Sequence, residues 1–280
     1  MSGKLFIVAT PIGNLGDISE RALNVLREAD VIAVEDTRHS RTLLQQFGID
    51  TPMLAYHDFN EGQQVSKLLE RITNGEDIAL ISDAGTPLVS DPGYQLVRQA
   101  HLAGIKVVPI PGPSAVITAL CSAGLASDRF TFEGFLPARS AARKSTLLDL
   151  QKETRTMIFY EAPHRIVECL VDMVECLGAE REITLARELT KTFETIVHTT
   201  VKELLEFVRG DANQQKGEIV LVVAGFRGDA QQMDPQVLHT LEVLLADLPL
   251  KHACALAAQI TGIKKNLLYE TALQLKQQKD

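Results

Sequence analysis

Short apolar runs alternate with amphipathic helical patterns along the first 115 residues, and this alternation constrains the fold most. The runs KLFIVA, VIAV, DIALIS and KVVPI indicate buried strands, whereas SERALNVLREAD and YQLVRQAHLAG are typical of surface helices. Strands that alternate with helices favour a mostly parallel sheet covered on both faces. We therefore predict an α/β domain over residues 1–116.

A second alternation, with one polar strand pattern, continues over residues 117–228. The runs FTFEGF, TMIFYEA, EITLARE, ETIVHTT and GEIVLVVAGF indicate strands, which predicts a second α/β domain with mixed strand directions. Residues 234–280 are helical throughout, with breaks at Leu248-Pro249 and Thr261-Gly262. A short helix, a glycine turn and a second helix have helix-turn-helix spacing, so the sequence predicts a small helical module at this end.

Composition excludes several classes of protein. The net charge of −8 argues against broad, non-specific nucleic-acid binding, although it permits a local basic patch. The four cysteines have no C-x-x-C spacing, so we expect neither a metal site nor a disulfide framework. The apolar runs LFIVA and IVLVVAGF are too short for a signal-peptide core and a membrane span, respectively. We expect a protein of the reducing cytoplasm with no membrane partner.

Loops rich in glycine, proline and aspartate follow the strands of the first domain. They are ATPIGNLGD, EDTRHS, SDAGTPLVSDPG and PIPGPSA. Ligands of open parallel sheets bind beyond the carboxyl ends of the strands. Glycine and proline are also common in ordinary turns, so the composition of any single loop can be explained without a ligand. Several such loops at successive strand ends of one sheet instead predict a ligand site.

The charge of these loops indicates which ligand they suit. The chain lacks the P-loop pattern G-x-x-x-x-G-K-[ST], and PIGNLG contains only part of the dinucleotide pattern G-x-G-x-x-G. The loop SDAGTP has no basic residue to meet a phosphate. An acidic, glycine-lined loop suits a positively charged ligand, and a sulfonium that carries an α-amino group fits that description.

Seven stretches in order carry a family resemblance over essentially the whole chain. They are ATPIGNLGDIS, EDTRHS, ISDAGTPLVSDPG, PIPGPSA, FYEAPHR, ARELTKTFE and GEIVLVVAG. With them the chain resembles the tetrapyrrole methylase-like superfamily of class III S-adenosylmethionine methyltransferases. EDTRHS together with FYEAPHR resembles the branch that methylates small-subunit ribosomal RNA, not the porphyrin and corrin methylases.

The resemblance implies a fold, an activity and partners. It implies two α/β domains with S-adenosylmethionine in the cleft between them, and a homodimer. It also implies 2′-O-methylation of a cytidine ribose in 16S ribosomal RNA at the decoding centre. An assembled small ribosomal subunit is a sensible substrate, because a protein without a large positive field gains specificity from shape and from a splayed-out nucleotide.

The resemblance also assigns residues to the cofactor. SDAGTP stands where many porphyrin-type members have a G-D-P core, and FYEAPHR lies in the second domain. The assigned residues are Pro11, Asp83, Ala84, Gly85, Ser114, Ala115, Phe159, Tyr160, Ala186, Gly217, Glu218 and Ile219.

The EDTRHS segment is the candidate catalytic element. A ribose hydroxyl is a weak nucleophile, so a group that accepts its proton assists methyl transfer. We expect Glu35 or Asp36 to act as the base or to orient the hydroxyl, and Arg38 to hold a flanking phosphate or the carboxylate. The same segment also fits a helix N-cap with acidic residues in the first turn.

Basic residues in three places are candidate RNA contacts. Residues 138–155 carry five basic and two acidic side chains, which fits either an RNA-binding patch or a solvated helix face. Arg165 could bind phosphate or pair locally, and the electrically neutral tail could dock RNA or support a dimer. The candidates are Arg139, Arg143, Lys144, Arg165, Lys191, Lys264 and Lys265.

Three other functions compete with this interpretation. A tetrapyrrole C-methyltransferase would share the fold and cofactor but would not need the basic segment or the helical tail. An RNA-binding assembly factor without catalytic activity would not need the acidic glycine loop and the EDTR segment. A nicotinamide oxidoreductase would need the complete dinucleotide pattern, which this chain lacks.

Overall fold

A parallel five-stranded sheet forms from the first apolar runs, as the alternation with helices predicts. The computed structural model describes residues 2–57, 61–227 and 235–277. The strands are β1 (Lys4–Val8), β2 (Val31–Val34), β3 (Met53–Ala55), β4 (Ile78–Leu80) and β5 (Lys106–Ile110), in the spatial order β3-β2-β4-β1-β5. The predicted runs form β1, β2, β4 and β5. Strand β3 was not predicted: it lies at the edge of the sheet, and its three residues are only half-buried, whereas those of β4 are buried.

Helices cover both faces of this first sheet. They are α1 (Glu20–Glu28), α2 (Thr37–Gln46), α3 (Glu61–Thr73) and α4 (Tyr94–Leu102). Leu26 of α1 and Leu44 of α2 pack on one face, and Leu68 of α3 and Leu96 of α4 pack on the other. Ser19 caps α1 as predicted, because its hydroxyl accepts the Ala22 N–H at 3.1 Å.

The second sheet has mixed strand directions, as predicted. Its strands are β6 (Phe130–Phe135), β7 (Thr156–Glu161), β8 (Glu182–Arg187), β9 (Thr195–Thr200) and β10 (Ile219–Val223), in the order β6-β7-β10-β8-β9. Only the β6–β7 pair is parallel. Its helices are α5 (Ala115–Ser122), α6 (Ser140–Asp149), α7 (Ile166–Leu177) and α8 (Val201–Gly210).

The two faces of the second sheet are covered by different parts of the chain. Helices α6, α7 and α8 pack on one face around Phe159 and Leu221. Helix α5 packs on the other face, where Ile12 from the loop after β1 joins the same apolar cluster. The loops of the first sheet therefore contact the second sheet, and both sheets belong to one compact unit, Met1–Ala224.

The second compact unit spans Gly225–Asp280, and its described residues from 235 onward form three helices. Its helices are α9 (Pro235–Asp247), α10 (Leu250–Thr261) and α11 (Lys265–Gln277), which pack around Leu241, Cys254 and Leu268. The breaks fall where Pro249 and Gly262 predict them, and Gly262 adopts a left-handed φ of 72°. The predicted domain boundaries at residues 116, 228 and 234 stay predictions. Nowhere in the described ranges is a helix both long and apolar enough to cross a bilayer.

Helix α8 begins with a reciprocal cap that contributes to stability. The Thr200 hydroxyl accepts the Glu203 N–H at 3.3 Å, and the Glu203 carboxylate accepts the Thr200 N–H at 3.4 Å. We expect Thr200→Ala to lower the free energy of unfolding by about 1 kcal/mol in urea titrations, because the first turn loses its acceptor. Thr200→Ser keeps the hydroxyl and should retain most of that stability. Equal losses in both variants would show that the cap does not stabilise α8.

Candidate functional site

A cavity of about 400 Å³ lies where the loops of the first sheet meet the second sheet. This volume is typical of sites for small molecules and cofactors. The lining residues from the first part of the chain are Ile12, Ala84, Val89, Ser90, Asp91 and Ala115. Those from the second part are Phe135, Tyr160, Glu161, Ala162, Pro163, Ala186, Leu189, Gly217, Glu218, Ile219 and Val220.

Two loops of the first sheet are tied together at the cavity. Thr10 and Gly85 exchange backbone hydrogen bonds of 2.8 and 3.1 Å. Gly85 has a φ of +84°, and a Cβ added there would lie 3.2 Å from the Ile12 side chain. A glycine is therefore required at this position. The bridge fixes Ile12 and Ala84 at the cavity wall.

The side chains that line the cavity give it an acidic character. Among the described lining residues, Asp91, Glu161 and Glu218 are acidic and none is basic. Burial raises the pKa of Asp91 to about 6, a hydrogen bond from Ser82 opposes this rise, and the neighbouring Asp83 carboxylate adds to it. The cavity therefore favours a positively charged ligand over a phosphate.

Aromatic rings form another part of the wall. Tyr160 makes edge-to-face contacts with Phe132 and Phe135, with ring centroids 5.0 and 5.5 Å apart. Burial raises the pKa of Tyr160 to about 12, and the Asp91 and Glu218 carboxylates contribute to the rise. The phenol therefore stays protonated at neutral pH and can donate a hydrogen bond.

The EDTRHS segment lies beside the acidic loop but does not line the cavity. Asp36 caps α2 by accepting the Arg38 N–H at 2.8 Å, and the two side chains form an ion pair at 3.0 Å. The hydrogen bond from Arg38 lowers the pKa of Asp36 to about 2. The Asp36 N–H donates a hydrogen bond to the Asp83 carboxylate at 3.3 Å. Glu35 is half-buried, whereas the Arg38 side chain is 90% exposed. The helix-cap alternative is therefore realised.

Arg143 is buried, so its predicted contact with RNA is wrong. Its side chain is 1% exposed and donates to Asp172 at 2.6 Å. Counting charges along residues 138–155 could not reveal a partner on α7. Lys144 pairs with Glu175 at 2.5 Å. Arg139 remains exposed in this segment.

Two other predicted RNA contacts form ion pairs beside the cavity. Arg165 pairs with Glu161 at 2.9 Å, which is the local pairing weighed above. Lys191 contacts Glu188 at 2.8 Å and Glu218 at 3.1 Å. The positive charges of both side chains are therefore partly neutralised within the protein. Lys264 and Lys265 are exposed in the helical unit.

The predicted cofactor residues divide into three groups. Those that line the cavity are Ala84, Ala115, Tyr160, Ala186, Gly217, Glu218 and Ile219. Those next in sequence to lining residues are Pro11, Asp83, Gly85 and Ser114. Phe159 is also next to a lining residue, Tyr160, but its side chain faces the other side of the strand and packs in the core between the second sheet and helices α6, α7 and α8. Its predicted place beside the cofactor stays a prediction.

Several residues that line the cavity were not predicted from the sequence. Asp91 and Ser90 lie in the SDPG end of the same acidic loop, so the loop motif contained a usable signal. Phe135 ends the strand pattern FTFEGF, and Leu189 directly follows the strand pattern EITLARE. Apolar residues in such positions look like ordinary core residues. Their role at the wall depends on how the two sheets meet.

Comparison with known proteins identifies the family. Residues 4–205 match the family model described as Tetrapyrrole (Corrin/Porphyrin) Methylases, which defines the class of fold. Residues 231–276 match the model described as the RsmI C-terminal HTH domain. The ribosomal RNA small subunit methyltransferase I of Pseudomonas aeruginosa is 58% identical, over 98% of each chain. That of Escherichia coli O157:H7 is 55% identical, over 97% of this chain and 95% of its own.

These matches confirm the resemblance inferred from the seven stretches. The chain belongs to the family of ribosomal RNA small subunit methyltransferase I proteins. A solved uroporphyrin-III C-methyltransferase from Thermus thermophilus, complexed with S-adenyl homocysteine, superposes with a TM-score of 0.53. It is 17% identical and covers 79% of this chain and 97% of its own, so it supports the fold alone.

Proposed function

We propose that the protein transfers a methyl group from S-adenosylmethionine to the 2′-hydroxyl of a cytidine ribose in 16S ribosomal RNA. The proposed target is the decoding centre of the assembled small subunit. The observation that carries this proposal is the acidic cavity at the strand ends, in a chain whose relatives are named ribosomal RNA methyltransferases. A sulfonium and an ammonium group would both be attracted by the Glu161 and Glu218 carboxylates of this wall.

The cavity residues can be assigned to parts of the cofactor. S-adenosylmethionine supplies an activated methyl group when bound. We assign the backbone of residues 217–219 to the adenine edge, and the loop 83–85 to the amino-acid and ribose portion. Tyr160 offers an aromatic face and Ala115 leaves space at the start of α5. A positively charged sulfonium is stabilised near such a ring.

The EDTRHS segment is assigned to substrate positioning. Asp36 is bound to Arg38, and a carboxylate whose pKa is about 2 is a weak base at neutral pH. We therefore assign Glu35 and Asp36 to orienting the ribose. The exposed Arg38 is assigned to a flanking phosphate. Holding the hydroxyl in line with the methyl group, about 3 Å away, supplies a large part of the catalysis in such displacements.

The assembled subunit is proposed as substrate because the protein carries little free positive charge. The net charge is −8, and Lys144, Arg165 and Lys191 are ion-paired. Binding would then depend on shape and on a few local contacts, for which Arg139 and the helical unit remain candidates. We further propose a homodimer that acts in the cytoplasm, without a membrane or a metal ion.

The function is tested by transfer of a tritiated methyl group from S-adenosylmethionine to small ribosomal subunits from cells that lack this protein. Nuclease mapping then locates the label. We expect a single alkali-resistant nucleotide, because a 2′-O-methyl ribose blocks alkaline cleavage. Label on a tetrapyrrole such as uroporphyrin, with none on the subunits, would replace this proposal by the tetrapyrrole alternative.

The role of the helical unit is tested by charge reversal at its exposed lysines. Lys264→Glu/Lys265→Glu should raise the KM for small subunits by about 10-fold or more, because two phosphate contacts are lost and charges of the opposite sign replace them. The affinity for S-adenosylmethionine should stay unchanged. The matched control is Lys251→Glu, an exposed lysine at the start of α10. An unchanged KM, with a weakened dimer in sedimentation, would assign the unit to dimer support instead.

A further inference from the structure

Asp91 is a cavity carboxylate that the assignments above leave without a role. It lines the cavity and is half-buried on the loop between β4 and α4. The loop adopts left-handed backbone conformations at Leu88 (φ 73°) and Ser90 (φ 66°), which are uncommon outside glycine. Such conformations persist where surrounding structure holds them, and they cluster at functional sites. The loop therefore presents Asp91 in a defined position.

The other two carboxylates of the cavity each pair with a basic side chain, although Glu161 Oε2 is buried without a hydrogen-bond partner among the described residues. Glu161 accepts hydrogen bonds from the Ala162 N–H and from Arg165, and Glu218 pairs with Lys191. In the part of the chain that the structure describes, no lysine or arginine pairs with Asp91. Among the described cavity carboxylates, Asp91 is consequently the one whose negative charge no basic side chain offsets.

We propose that Asp91 is the general base of the methyl transfer, an assignment that rests on the function proposed above. The ribose oxygen forms a bond to the methyl carbon while the carbon–sulfur bond breaks and its electron pair stays on sulfur as a thioether. The hydroxyl proton passes to a carboxylate oxygen of Asp91. The proton then leaves to solvent after the products dissociate, which restores the carboxylate.

The surroundings of Asp91 suit this step. Ser82 and Asp83 face it from the strand end, and Tyr160 faces it from β7. Glu161 and Glu218 line the same cavity. Burial raises the pKa of Asp91 to about 6, so it is ionised at neutral pH and is a stronger base than an ordinary aspartate. The rate should therefore fall as the pH drops through about 6, because the protonated carboxyl cannot accept the proton.

The test is Asp91→Asn, measured in single-turnover methyl transfer to small subunits. We expect the rate to fall by about 100-fold and the wild-type loss of rate near pH 6 to disappear. Calorimetry with S-adenosylmethionine should give a dissociation constant within about 3-fold of wild type, because the amide keeps the shape of the wall. Asp128→Asn, an exposed aspartate before β6, is the matched control and should behave as wild type.

A readout independent of activity is the carboxyl carbon resonance of Asp91 in the free protein, assigned by comparison with Asp91→Asn. It should titrate near pH 6, and titration near pH 4 would overturn the proposal. A wild-type rate in Asp91→Asn would also overturn it. So would a slow rate accompanied by a parallel loss of S-adenosylmethionine affinity, since Asp91 would then bind the cofactor. If the wild-type protein labels no subunits, the proposed function itself fails. If the wild-type protein labels subunits and Asp91→Asn does so at the same rate, only the role of Asp91 fails.

Discussion

Asp172→Ala is expected to lower the free energy of unfolding of the Met1–Ala224 unit by about 3–5 kcal/mol. Asp172 lies on α7 and accepts hydrogen bonds from Arg143 and from the Ser140 hydroxyl of α6. Removing the carboxylate leaves the Arg143 guanidinium buried, with the Ala138 carbonyl at 3.2 Å and the exposed Glu168 carboxylate at 3.8 Å as its remaining partners among the described residues. An uncompensated buried charge costs several kcal/mol, because it has lost its hydration without gaining a partner.

Two further variants separate this cause from a general loss of packing. Arg143→Met/Asp172→Leu removes both charges and should recover most of the stability, because buried ion pairs are often replaceable by apolar residues. Glu175→Ala removes the exposed partner of Lys144 and should cost less than about 1 kcal/mol. Urea unfolding measures all three. A loss below about 1 kcal/mol for Asp172→Ala would contradict the importance of this ion pair.

Ala115→Phe is expected to weaken the binding of S-adenosylmethionine by about 100-fold. Ala115 is the first residue of α5 and lines the cavity. A phenyl ring at this point would occupy space that the cofactor needs. Forcing extra atoms into a filled site typically costs 1–3 kcal/mol, and the upper end of this range corresponds to about 100-fold in affinity. Isothermal titration calorimetry with S-adenosylmethionine measures the change.

The control places the same ring on the same helix outside the cavity. Ile117 is 52% exposed, so Ile117→Phe should leave the affinity within about 2-fold of wild type. Both variants should unfold at similar urea concentrations, because Ala115 is not part of the fully buried core. Wild-type affinity in a folded Ala115→Phe protein would mean that the cofactor lies elsewhere.

Much of the fold is predictable because it rests on local patterns. Apolar runs such as VIAV are buried on both faces of a parallel sheet. Such a continuous apolar run can be recognised in the sequence without knowing which strands pair with it. Ser19, Pro249 and Gly262 act on the backbone within one helical turn, so their positions determine helix limits. Strand β3 was not predicted because it lies at the edge of the sheet, where its residues are only half-buried and do not form a strongly apolar run.

The sequence by itself determined the two α/β halves, the helical end and the acidic loop at the strand ends, because hydrophobic period, capping and loop charge are local properties. Only the tertiary structure decided which charged groups are free. Arg143 differs from Arg139 because its partner Asp172 lies 29 residues away on another helix. Phe159 differs from Tyr160 because the sheet has two faces with different coverings. Burial and ion pairing depend on distant contacts, and folding alone brings those contacts together.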